Sequence, residues 1–202
     1  MKLNAWEKLL VNNPVRSFIQ HRVEAPRLLS LGGRLDGKRV LEIGCGRGVG
    51  IEVIFQHFGA NHVTAIDVDP QMVDLAKNRL SAYNQDRLEL RVGEATNLPA
   101  GDAAFDAVFD FGILHHVPDW QAAVKEIARV LKPGGLFYFE EVTKQALDRW
   151  VYRKFFDHPR ENRFGVSEFT SELRANGILA DHTETILSND IFGGVGKRIA
   201  RT

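Results

Sequence analysis

The stretch VLEIGCGRGVG, Val40 to Gly50, decides the fold of this chain. An apolar run breaks off into four glycines spaced two apart, Gly44, Gly46, Gly48 and Gly50, and a carboxylate, Glu42, stands inside the apolar part. A short apolar run bounded by glycines reads as a buried strand. The residues after it, Val49, Ile51, Val53, Ile54 and Phe58, read as the helix that follows. A glycine-rich turn between a first strand and its helix is the ligand-binding turn of a doubly wound sheet. Gly44 would allow the tight turn, Gly46 would let a ligand lie against the backbone, and Gly48 and Gly50 would let the helix pack down on the strand. The helix N-terminus adds free N–H groups.

Strand and helix alternate outward from this turn. "HVTAIDVD" is a second strand, and Asp69 caps the helix that Pro70 opens. "LELRVGEA" and "FDAVFDFG" are the third and fourth strands; "DWQAAVKEIARVL" is a helix, and "KPGG" turns into a fifth strand, "LFYFEEV". Alternation of this kind predicts an α/β fold, a parallel sheet with helices on both faces. Two further strands, "LADHTETIL" and "FGGVGKRIA", are joined by a short Asn-Asp turn and are expected to pair antiparallel. Ser167 is expected to cap a helix that Gly177 stops.

Residues 1–36 read as an N-terminal helical lid, and 37–202 as the main domain with a second lid insertion near 144–164. In the first segment, Leu3, Trp6, Leu9 and Leu10 share one face. Asn13-Pro14 starts a helix to about Glu24 with Val15, Phe18, Ile19 and Val23 inward; Pro26 restarts it and Gly32-Gly33 ends it. In the insertion, "KQALDRWVYRKFF" is an amphipathic helix. Trp150, Phe155, Phe156, His158, Arg160, Arg163 and Phe164 offer either an apolar wall with cationic groups or simple packing of the lid, with packing favoured.

The turn alone leaves the ligand open between an anionic dinucleotide and something else. The dinucleotide pattern needs a third glycine or alanine, and Val49 or Ile51 stands there in the two frames. Glu42, Asp67, Glu94, Asp110, Glu140 and Glu141 fall at the strand ends. Such a crevice repels a pyrophosphate and welcomes a cation with an amine and a ribose. Glu140 and Glu141 cannot both face it, because strand side chains alternate.

In order, "VLEIGCGRGVG", "AIDVDPQMVDLA", "VGEATNLP", "FDAVFDFGILHHVPDW" and "EIARVLKPGGLF" resemble the successive motifs of class I S-adenosylmethionine-dependent methyltransferases, over roughly residues 38–142. The nearest in style are small-molecule enzymes such as those that methylate quinone precursors. The resemblance implies a Rossmann-like sheet of seven mostly parallel strands with the last antiparallel, and S-adenosyl-L-methionine as cofactor. It implies that Gly44, Cys45, Gly46 and Gly48 lie along the methionine portion, and that Glu42 orients that loop and the amino group. Asp67 would take the ribose hydroxyls, Val68 and Met72 would flank the adenine, and Gly93, Glu94 and Ala95 would meet its edge. Asp110 and Phe111 would border the sulfonium. The family usually has Asp where Glu94 stands. Cys45 is common at its position and has no base beside it.

Methyl transfer is an in-line displacement for which the protein mainly supplies alignment. If the acceptor must lose a proton, His115, ahead of His116, is the candidate base, with Asp110 and Glu141 as further options. Formal charge is zero, with 26 Lys and Arg against 26 Asp and Glu, so no nucleic-acid partner is expected. A single cysteine allows neither an internal disulfide nor a cysteine-rich metal site, and no metal is expected. Nothing is long and apolar enough to be an integral membrane span or a signal peptide, so the expected location is the cytoplasm. The expected partner is a small-molecule substrate. A homodimer is left open, and the basic N-terminal helices suit a lid or a dimer contact ahead of a membrane surface. The alternatives are a catalytically silent cofactor-binding regulator, a methyltransferase of nucleic acid or protein, and a nicotinamide-dependent oxidoreductase.

Overall fold

The computed structural model describes residues 14–148, 161–186 and 189–200. The seven expected strands form one sheet: β1 (Arg39–Ile43), β2 (His62–Asp67), β3 (Leu88–Val92), β4 (Phe105–Phe111), β5 (Leu131–Val142), β6 (Ile178–Ile186) and β7 (Ile191–Arg198). Their order is β3-β2-β1-β4-β5-β7-β6. β7 runs antiparallel to β5 and β6, and the pairings from β3 through to β5 are parallel. β5 starts earlier than the sequence suggests, because Lys-Pro-Gly-Gly is absorbed into the strand as an irregularity opposite Phe105 and Ala107. From β1 the chain order runs one way through β2 and the other through β4. That reversal opens a crevice at the carboxyl ends of these strands.

One face of the sheet carries α1 (Pro14–Ile19, continued by Gln20–Glu24 and Ala25–Gly32), α2 (Val49–Val53, continued by a π-helical turn, Ile54–Phe58) and α3 (Pro70–Arg79). Their core includes Ala25, Leu28, Val40, Ile54, Phe58, Phe109 and Tyr138. Phe109 and Tyr138 stack with ring centroids 4.4 Å apart. The opposite face carries α4 (Trp120–Val130) and α6 (Val166–Ala175), packed on Ile43, Ile66, Phe137 and Phe139. Between them in the chain is a short α5 (Lys144–Leu147). The caps behave as their residue types dictate: Asp69 accepts from Gln71 N at 3.1 Å and Asp119 from Ala122 N at 3.1 Å. α6 is the exception. Gly165, not Ser167, is its N-cap, and Glu168 reaches back to the Gly165 N–H at 3.2 Å.

The N-terminal helix departs most from the sequence reading. α1 runs from Pro14–Ile19 through a π-helical turn, Gln20–Glu24, into Ala25–Gly32, and Pro26 does not interrupt it. The residues expected inward face out: Val15 is 65 %, Phe18 63 %, Ile19 39 % and Val23 51 % exposed, while Gln20 and Glu24 are buried. The reason is the π turn. Ala25 N–H donates to Gln20 O, five residues back, so one extra residue is spent on that turn. At 3.6 residues per turn an extra residue rotates everything upstream by about 100° relative to Ala25 and Leu28. The expected helix at 3–10, and the expected insertion helix beyond Asp148, lie outside the described residues.

Candidate active site

The glycine turn bends where expected. Gly44 has a φ of +71°, and a Cβ there would lie 2.5 Å from the Ile113 side chain. The turn is pinned by Asp67 at the end of β2, whose two oxygens accept from Gly46 N at 2.9 Å and Asp69 N at 2.8 Å. Above it opens a cavity of about 300 Å³, within the size range of small-molecule sites. Of the sequence-predicted binding residues, Gly44, Asp67, Val68, Gly93, Glu94 and Ala95 line it. On the opposite wall stands His116, which the sequence ranks behind His115, together with Ile113, Val117, Pro118 and Asp119, which sequence reasoning missed. The signal for this wall is the "HHVPDW" segment.

The other predicted residues sit behind these walls. Glu42 is buried on the α2 side of β1, and Gly50 exists to admit it: a Cβ on Gly50 would lie 1.9 Å from Glu42 Oε1. Glu42 Oε2 has no hydrogen-bond partner, and burial, then the charges of Asp67 and Asp110, push its pKa well up. Gly48 packs against Leu80 and Ala76, so its small size serves the contact of α2 with α3. Met72 is buried and outside the cavity lining. Cys45 is buried with its thiol pushed far up by burial, so it supplies no nucleophile. Phe111 packs on Phe109, 5.5 Å between centroids, beside Gly50. The six carboxylates therefore do not line one crevice. Asp67 and Glu94 line it, and the rest divide between the two faces of the sheet.

The three candidate bases meet around Glu141. Glu141, at the end of β5, accepts from Leu114 N at 2.6 Å, His115 N at 3.3 Å, Val142 N at 3.3 Å and His115 Nδ1 at 2.5 Å. Asp110 lies against the same carboxylate and accepts from Ile113 N at 2.8 Å. Its second oxygen has no hydrogen-bond partner. Burial, then the Glu141 charge, holds Asp110 well above the usual range. Burial raises Glu141 to about 7, opposed by Asp110 and by the hydrogen bonds it accepts from the loop. His115 borders a narrow gap beside Trp120, Val142, Leu147 and Phe164, whereas His116 faces the larger cavity.

Glu140 points the other way, as strand alternation requires, yet it is buried too. It meets Glu24 of α1, which is ion-paired with Arg16. Phe164 packs on Trp120, 4.7 Å between centroids, and Arg163 pairs with Asp148 at 2.6 Å, so packing accounts for both. Trp150, Phe155, Phe156, His158 and Arg160 lie outside the described residues. Among the described residues no cluster of three metal-ligating side chains occurs, and no helix is long and apolar enough to cross a membrane.

Residues 41–139 match the methyltransferase domain family model. The chain is similar to the demethylmenaquinone methyltransferase of Staphylococcus epidermidis, 32 % identical over 71 % of this chain and 60 % of that protein. It is similar to the fatty-acid O-methyltransferase of Mycolicibacterium smegmatis, 36 % identical over 53 % of this chain and 38 % of that one. The chain thus spans less than two thirds of the length of these relatives. A crystal structure of an S-adenosylmethionine-dependent methyltransferase from Aquifex aeolicus shares the fold, with a TM-score of 0.78 at 21 % identity, covering 98 % of this chain and all of that one. Motif order, sheet topology and these likenesses agree: the chain is a member of the class I S-adenosylmethionine-dependent methyltransferase family.

Proposed function

We propose that the chain transfers the methyl group of S-adenosylmethionine to a small lipophilic acceptor. The observation that carries this reading is the acidic crevice at the glycine turn. Asp67 and Glu94 stand on its wall, and beneath it Glu42 has a buried oxygen without a partner. A buried acceptor left unsatisfied costs about 1–3 kcal/mol. A ligand that brings an ammonium or a sulfonium relieves that cost, and a pyrophosphate aggravates it. The residues present therefore fit the cofactor. Gly44 and Gly46 would hold its methionine portion with Cys45 and Gly48 behind, and Glu42 its amino end. Asp67 would hold the ribose, and Val68, Met72, Gly93, Glu94 and Ala95 would surround the adenine, with Asp110 and Phe111 beyond.

When bound, the cofactor supplies an electrophilic methyl on a good leaving group. The protein orients the acceptor, excludes water and handles its proton. In this reading His115 is the base. Its Nδ1–H is held by Glu141, which fixes the tautomer and leaves Nε2 as the basic nitrogen. Glu141 and Asp110 are positioning residues that stabilise the charge His115 acquires. The lipophilic class is supported by the names of the relatives, a quinone and a fatty-acid methyltransferase.

Isothermal titration tests the cofactor: S-adenosylhomocysteine should bind, NADH should not, and Asp67→Ala should lose the first. Turnover of phenolic, quinol and fatty-acid acceptors then tests the chemistry. His115→Ala should cut kcat by about 10²–10⁴ with cofactor affinity kept. Binding of NADH alone overturns the reading. Binding of S-adenosylhomocysteine with no acceptor turned over leaves a cofactor-binding regulator.

A further inference from the structure

α1 is inside out compared with an ordinary surface helix. Val15, Phe18, Ile19 and Val23 fall at i, i+3, i+4 and i+8, which is one contiguous stripe, and that stripe faces solvent. The buried side of the same helix carries Gln20 and Glu24, set over β5 and β7. Arg22 is exposed beside the stripe. The charge along the sequence is one-sided. The first 39 residues hold eight Lys or Arg against three Asp or Glu, a balance of +5, while the other 163 hold 18 against 23, a balance of −5.

An exposed apolar stripe on a helix calls for a cover. A second copy fits poorly. A stable interface takes about 20–30 residues a side, and the stripe offers four. A two-fold contact would also set this basic segment against itself. An anionic bilayer surface fits both properties at once. Its acyl boundary takes the apolar side chains, and its headgroup phosphates take the basic ones.

We propose that the outward face of α1 rests on an anionic lipid bilayer, with Val15, Phe18, Ile19 and Val23 at the headgroup–acyl boundary and Arg22 against lipid phosphate. The inward face of the helix meets β5 through Glu24 and Glu140. The surface assignment stands on the geometry and charge of α1 alone and does not depend on methyl transfer.

The test is co-sedimentation of the full chain with vesicles of phosphatidylglycerol and phosphatidylcholine, and with phosphatidylcholine alone. The chain should pellet with the anionic vesicles, and high salt should release most of it. Phe18→Asp combined with Val23→Asp should lower the vesicle-bound fraction at least tenfold, and Arg22→Glu several-fold. Unchanged circular-dichroism melts would show that these exposed substitutions leave the fold intact. Failure of the unaltered chain to pellet overturns the proposal, and so does pelleting that Phe18→Asp with Val23→Asp leaves unchanged. A dimer in light scattering that the same double variant dissolves, without vesicle binding, assigns the stripe to self-association and also overturns it. Vesicle binding by a chain that fails to bind S-adenosylhomocysteine would uphold the surface and sink the methyl-transfer reading separately.

Discussion

Glu140 and Glu141 are neighbours on one strand, and both are buried, but they are held in opposite ways. Glu141 takes four N–H donors from the loop after β4 and from its own backbone neighbour. Glu140 faces another carboxyl, Glu24, on a helix that lies across the sheet. The first arrangement is an anchor, because three of its donors are backbone N–H groups fixed by the loop and the strand. The second depends on a proton, since two carboxylates in contact repel once both are charged. One residue of register thus separates a carboxyl held by four donors from one held against a like charge.

Removing the anchor should cost most. Glu141→Ala strands buried donors around Leu114, His115 and Val142. It should destabilise the chain by about 3–5 kcal/mol, read as the midpoint shift in urea denaturation. An equal loss for Glu140→Ala would erase the distinction. Next comes the bed on which α1 lies. Arg27 crosses β7 where Gly193 leaves room, and a Cβ there would lie 2.6 Å from Arg27 Nη2 and 2.9 Å from the Phe139 carbonyl oxygen. The carbonyl cannot swing aside, so Gly193→Ala should cost about 1–3 kcal/mol by thermal melting.

The like-charge contact has its own signature. Burial, then the charge of Glu24, raises Glu140 to about 9 from an ordinary value of 4.5. A raised carboxyl contributes stability that is complete below about 4.5 and is lost as pH rises through about 9. Denaturation midpoints should therefore fall across that window, and Glu140→Gln, which mimics the protonated acid, should lessen the fall and leave the share that Glu141, raised to about 7, contributes. A slope that the substitution leaves unchanged would take Glu140 out of the titration. The smallest effect should come from Asp110→Asn. Its amide mimics the protonated acid, so stability should change by about 1 kcal/mol or less, whereas an Asp110 that needs its negative charge would lose much more.

What the sequence made legible was local. Val40–Gly50 predicted strand, turn and helix because a glycine run after an apolar stretch has few other uses. Asp69 before Pro70 predicted a cap, and alternation alone separated Glu140 from Glu141. The convergence of Asp110, Glu141 and His115 was not legible as a network, because it joins the ends of two strands 30 residues apart in the chain. The wall from Ile113 to Asp119 was hidden for the same reason. The facing of α1 misled, since a count of 3.6 residues per turn contains no sign that one turn will be wider.

That wider turn has a counterpart. The π turn of α1 carries His21 and the π turn of α2 carries His57, and the two rings meet with Nδ1 to Nε2 at 3.2 Å. Each turn behaves as a one-residue insertion, and each sets the angular phase of the side chain it brings to the meeting. A deletion that restored an ordinary turn on either side would swing its histidine away by about 100°. The two wide turns therefore act as one matched pair, each setting the angle at which its own histidine meets the other.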